Sequence, residues 1–487
     1  MTDSLLVGLD VGTTGIVACL YDEQLTPLAE VRRRVATRHV GPGRQEQDAE
    51  ALLRDAAACV HELLAGRDAA TVAGIGLDHQ GESVVAWDAR DGRPLSPLVL
   101  WSDQRGADIL DAVDASVLLR SGLPADPYFS ASKMAWLCRE EPAVAAAARG
   151  GYLHLGTLDA FLVDRLGGPY RTDLSTASRT QLLALGGTCW DPALLDAFGL
   201  DPRCLPEPGA SFGRLGSLHH PSWPAPLPLR AQLVDQQAAL AGSGCLTPGA
   251  VKATYGTGAF VLAHAGTSVP AATGGLLPTV AWSDGTTVTY AMDGGVFTAG
   301  ALLEWLSSGL GLASDPAGLC SLAADVADSA GVRVLPALAG LGAPWWRPGA
   351  RGVVAGLHGG VTAGHLARAA LEALAQRVAD ILDELDELDE PTVPLPALRV
   401  DGGLSRDDLL LQLQADAAGR PVQRTVADAT ARGAALLAAV GAGVIEDVTA
   451  AASAVTVGPP IRPQRDAASR GRERATWRDW VAAAGAL

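Results

Sequence analysis

Two spacings of apolar residues divide this chain. Short runs rich in apolar and β-branched residues predict buried strands at 5–9, 16–20, 73–77, 84–87, 97–100, 287–291 and 398–400. Stretches with an apolar residue every three or four positions predict helices at 45–65, 154–166, 299–306, 368–390 and 430–444, and another within 128–140 behind capping serines. Residues 173–179 (DLSTASR) read as a polar loop. The acidic end of the long helix, stopping at Pro391, reads as a solvated face. The Gly- and Pro-rich residues 242–249 are the best boundary, dividing the chain into domains at 1–246 and 247–487.

The polar residues between these runs carry the chemistry. Asp10-Val11-Gly12-Thr13-Thr14-Gly15 joins two apolar strands with a turn rich in backbone donors and hydroxyls. Such a turn can cradle an anion, and its one carboxylate suits a hydrated cation, although an ordinary hairpin has the same composition. A repeat of the pattern weighs towards the anion cradle. Residues 251–266 again read strand, Tyr255-Gly256-Thr257-Gly258, strand, so two similar lobes are expected to face one cleft. Asp78-His79-Gln80-Gly81-Glu82 ends a buried strand, as site residues often do. Asp235 stands where an apolar strand meets a helix start, either as a functional carboxylate or as a cap. Asp401-Gly402-Gly403 offers a further close approach of backbone to a nucleotide.

Composition narrows the function by exclusion. With 37 basic and 54 acidic residues the net charge is −17, which disfavours nucleic acid as a partner. The seven cysteines are scattered singly, arguing for reduced thiols rather than a disulfide framework or a zinc site. No export signal and no membrane-spanning run is read, so a cytoplasmic protein is expected. Lysine occurs only at positions 133 and 252, a scarcity that biased genomic composition explains. P-loop, dinucleotide, zinc-protease and nucleophile-elbow motifs are absent.

Taken in order, these segments resemble the FGGY family of carbohydrate kinases nearly end to end, with the glycerol kinase branch nearest. Asp10-x-Gly12-Thr13-Thr14 resembles the first phosphate loop, Tyr128-Phe129-Ser130-x-x-Lys133-x-x-Trp136 and residues 352–372 the two family signatures, and Asp235-Gln236-Gln237 the catalytic segment. Thr254-Tyr255-Gly256-Thr257-Gly258 resembles the second phosphate loop, and Asp401-Gly402-Gly403 the adenosine turn.

The resemblance implies an α/β, two-domain, actin-like (ribonuclease-H-like duplicated) fold. It also implies ATP-dependent phosphorylation of a small polyol or sugar. Asp235 would be the base and Asp10 would hold Mg²⁺. Gly12, Thr13, Thr14, Thr257, Gly300, Gly402, Gly403 and Asp407 would meet the nucleotide. Glu82, Trp101, Tyr128, Asp235, Gln236 and Phe260 would line the acceptor pocket. A homo-oligomer is compatible with this reading. Two family arginines are missing, at Val17 and Gly81. An open space beside Gly81 implies a four- or five-carbon acceptor in preference to glycerol, unless Arg105 or Arg347 swings in. A pentulose kinase is the alternative, and less so a non-catalytic actin-fold nucleotide-binding protein.

Overall fold

A computed structural model describes residues 4–272, 274–388, 396–425 and 428–486. The first hairpin, Leu5–Val11 with Gly15–Tyr21, sits inside a six-stranded sheet whose order is 212–218, 227–234, 72–79, 5–11, 15–21, 27–34. Leu6, Val7, Leu9 and Val11 are wholly buried, which is why this run pairs on both sides. The meander side is antiparallel, whereas Val72–His79 and Leu227–Val234 run parallel on the other.

The second hairpin, Val251–Tyr255 with Ala259–Gly266, repeats that plan. Its sheet runs in the order 277–283, 288–296, 259–266, 251–255, 398–401, 422–424, again antiparallel on the meander side and parallel beyond. A further five-stranded sheet in the first half (38–41, 44–47, 98–99, 84–88, 153–157) carries Glu82 and Trp101 in the loops beside its strands 84–88 and 98–99.

Helix Ala429–Ala442 joins the halves, lying on the first sheet and crossing the short helix Asp235–Gly242. Backbone meets backbone there. A Cβ on Gly8 would sit 2.0 Å from Ala431 O, and one on Gly433 1.8 Å from Ala238 O, so no larger residue fits.

Three sequence expectations are corrected. Residues 154–166 are a strand, Leu153–Thr157, followed by a helix, Leu158–Arg165. Residues 173–179 are a buried helical turn rather than a surface loop, because their hydroxyls find partners inside the protein. The strand expected at 287–291 runs on to Val296 and takes in Asp293-Gly294-Gly295. The long helix spans Ala363–Leu388, and Pro391, its expected stop, is outside the described residues. Among the described residues no helix is long and apolar enough to cross a membrane.

Candidate active site

Strand ends from both halves converge on one cleft. Asp10 closes the first hairpin strand and accepts a 2.7 Å hydrogen bond from Thr430 Oγ1, on the joining helix. Its other oxygen, Oδ1, is buried without a donor, and burial raises the Asp10 pKa. In the turn beyond it, Thr13 Oγ1 donates to Gln80 and accepts from Trp101 Nε1, both at 3.1 Å, while Thr14 is exposed.

Asp235 is the first residue of its helix and follows directly on strand Leu227–Val234. Its carboxylate accepts the Gln236 N–H at 2.7 Å. Burial pushes its pKa up to about 7, helped by the negative charges of Asp10 and Glu82. A carboxyl poised there can take a hydroxyl proton at neutral pH.

The acceptor side is built from aromatic rings and one buried arginine. Trp101 and Tyr128 meet edge to face at 5.5 Å. Glu82, at φ 55°, holds an unusual backbone conformation of the kind that persists where surrounding contacts enforce it. Its Oε1 receives Arg179 Nε at 2.7 Å, and Arg179 Nη2 reaches Asp293 Oδ2 at 3.0 Å across the cleft. Arg179 also lies 5.4 Å from the Phe129 ring. Its remaining nitrogen, Nη1, is buried with no acceptor. Phe260 pairs with Gly295 two positions from the Leu262–Asp293 pair, so its ring shares the face that carries Asp293.

The space beside Gly81 is not open. A Cβ there would lie 3.1 Å from Val234 Cγ2. Arg105 and Arg347 do not enter the pocket. Arg105 is bound to Asp103 and Glu46, and Arg347 reaches Ala482 O.

Both lysines serve this region. Lys133, wholly buried, donates to the carbonyls of Pro127, Tyr128 and Phe129 at 2.6–2.9 Å and so fixes the Tyr128 segment. Burial pushes its pKa down to about 7. Lys252 links Gln236 Oε1 (2.6 Å) to Thr254 Oγ1 (2.8 Å), tying the Asp235 helix to the second phosphate loop. Three short bonds from one compact ammonium are a job the larger planar guanidinium does poorly. Biased composition explains why lysine is scarce but not why the two that remain are both here.

On the donor side, Gly256, Thr257, Gly300, Glu304, Trp305 and Gly403 line a cavity of about 640 Å³. Gly300 N donates to Gly256 O at 3.0 Å, closing the loop onto the following helix. Gly402, at φ 87°, would place a Cβ 2.4 Å from Tyr255 O. Gly402→Ala is therefore expected to cost about 1–3 kcal/mol of stability and to raise KM for ATP, read by a thermal melt and a nucleotide titration. Asp407, expected at the nucleotide, caps helix Asp408–Ala418 by accepting Leu410 N at 2.7 Å and is not among the residues that line this cavity. A recess of about 490 Å³ elsewhere in the second half contains none of these residues.

No site role is read from the sequence for Arg179, Asp293 or Thr430, and Asp78 stands in a candidate stretch without a role. A signal for Arg179 existed, since DLSTASR contains neither glycine nor proline, the usual marks of a surface turn.

Comparison with known proteins agrees with this fold. Residues 5–242 match the N-terminal domain of the FGGY family of carbohydrate kinases, and residues 251–442 match its C-terminal domain. A glycerol kinase of Geobacter sp. (strain M21) is 40% identical, with 98% of each chain covered. The structure of Plasmodium falciparum glycerol kinase with ADP superimposes with a TM-score of 0.91 at 25% identity, covering 99% of this chain and 98% of that one. A xyloylose kinase from Brucella ovis gives 0.87 at 25% identity, covering 99% of this chain and 100% of that one.

Proposed function

This chain belongs to the FGGY family of carbohydrate kinases, and from that premise we propose that its acceptor is a small polyol of about glycerol's size, phosphorylated at the hydroxyl that meets Asp235. The enzyme is a phosphotransferase that moves a phosphoryl group from ATP to a hydroxyl of a polyol or sugar. The observation that carries the acceptor assignment is Arg179, whose buried Nη1 lacks an acceptor while its other nitrogens are held by Glu82 and Asp293. A polyol hydroxyl satisfies that donor, and Glu82 accepts from a neighbouring hydroxyl. Arg179 thus supplies the guanidinium that position 81 lacks. Position 81 is closed on the side of Val234, whose Cγ2 a Cβ there would approach to 3.1 Å. A pentulose acceptor is not favoured, with full-length relatives at 40% identity named glycerol kinases.

The chain's own groups perform the transfer. Trp101, Tyr128 and Phe260 enclose the polyol and exclude water, while Gln236, held by Lys252, orients it. Asp235 takes the proton of the attacking hydroxyl. Gly12, Thr13, Thr14 and Thr257 donate to the phosphates, and Gly300, Gly402 and Gly403 border the nucleotide. Asp10 fits Mg²⁺, because one of its oxygens is buried without a donor. The ion, when bound, supplies charge neutralisation for the polyphosphate.

The test is kcat/KM for glycerol, erythritol, threitol, ribitol and xylulose, read by ADP release. Glycerol is expected to lead. A preference of tenfold or more for a four- or five-carbon acceptor overturns the assignment.

A further inference from the structure

A second carboxylate stands beside Asp10. Strand Val72–His79 runs parallel to Leu5–Val11 and registers Asp78 against Asp10, so their side chains leave the sheet on the same face. The two carboxyls lie within hydrogen-bond reach of each other. Asp78 is 0% exposed. Apart from each other, neither Asp78 oxygen nor Asp10 Oδ1 has a hydrogen-bond partner.

Other buried carboxylates in the same half are treated differently. Asp159 accepts from Thr157, Thr172 and Gln232. Asp173 accepts from Ser175 N, Thr176 N and Ser211 Oγ. The charges that bear on Asp78 are those of Asp10 and Asp235, both negative. A buried carboxylate with neither donor nor cation costs several kcal/mol. Three orphaned oxygens on two adjoining carboxyls, at the mouth of the first phosphate loop, are the donor set of a hard divalent cation.

We propose that Asp78 and Asp10 together form a two-carboxylate seat for a divalent cation of the Mg²⁺ class. The seat holds the cation in the first lobe before nucleotide arrives, rather than receiving it only with ATP. This deepens the kinase reading, on which the identity of the ion rests, by adding a ligand from the parallel strand. Thr430 holds the other Asp10 oxygen and leaves Oδ1 for the ion.

The experiment titrates Mn²⁺ alone, without nucleotide or polyol, into the full-length wild type, Asp78→Asn and Asp78→Ser. Free Mn²⁺ is followed by electron paramagnetic resonance, with thermal melts in EDTA and in saturating Mn²⁺. Wild type is expected to bind one ion, and both variants to bind it about tenfold or more weakly. The melting temperature of wild type should rise with Mn²⁺ more than that of either variant. In EDTA both variants should melt no lower than wild type, because each relieves a carboxylate pair. Should neither variant fold, the same titration on Asp10→Asn and on wild type decides. No Mn²⁺ binding by wild type at millimolar concentration, or equal binding by wild type and a folded variant, overturns the proposal. A wild type that phosphorylates a polyol yet fails this titration sinks the seat and leaves the kinase reading standing.

Discussion

Asparagine at position 235 is expected to lower turnover by ~10²–10⁴-fold while ATP and polyol binding stay near wild type. The substitution keeps the side chain's size and its place on the helix but removes the group that accepts the proton. Because burial, Asp10 and Glu82 push Asp235 up to about 7, wild-type kcat/KM should climb with pH through that value and then level. The variant should lose this limb. The stability effect has the opposite sign from that of a typical paired carboxylate. The native state holds the proton more tightly than the unfolded chain does, so its contribution is favourable at low pH and fades as pH rises from 3.8 towards 7. Asp235→Asn should therefore melt higher than wild type at pH 8 and lose that advantage near pH 4. Turnover within a few-fold of wild type would remove Asp235 from the chemistry.

Arg179→Met should be the most damaging change on the acceptor side. It leaves Glu82 and Asp293 facing each other in a buried pocket with no cation between them. Truncating one partner of a buried hydrogen-bonded charge pair costs about 2–5 kcal/mol, so kcat/KM for the polyol should fall by about 10²-fold or more. KM for ATP should change little, because Arg179 does not line the donor cavity. Arg179→Lys should recover only part of the loss, since an ammonium cannot reproduce the fork that spans both carboxylates. A variant with unchanged polyol kinetics and a lowered melting temperature would make Arg179 a structural residue only.

What could be read from the sequence follows from how far each signal reaches along the chain. The two hairpins are legible because each is a local pattern repeated, and the repeated sheet plan follows from it. The strand-to-helix step at Asp235 is visible for the same reason. Glu82, Trp101 and Tyr128 come together as expected, carried there by the five-stranded sheet and its loops. Arg179 was lost because its partners are 97 residues before it and 114 after it, and nothing in DLSTASR announces them. A carboxylate ahead of a helix can serve a ligand or a cap, and Asp407 accepts the Leu410 N–H as a cap, a bond the sequence alone does not distinguish. Gly81 misled through what it lacks. A missing side chain reads as empty space, but Val234 comes within 3.1 Å of where a Cβ at position 81 would sit. Asp78 sat in a stretch recognised as site-like, yet its pairing with Asp10 depends on the parallel register, which the sequence does not specify.

The central claim is that this cleft transfers the ATP γ-phosphoryl to a glycerol-sized polyol with Asp235 as base. Its most direct test is ³¹P NMR of wild type and Asp235→Asn incubated with ATP, Mg²⁺ and glycerol. Wild type should convert the γ-phosphate resonance into that of a glycerol phosphomonoester, with equimolar ADP, and the variant should leave ATP intact on the same timescale. Release of inorganic phosphate alone, or a phosphomonoester formed equally fast by the variant, would contradict it.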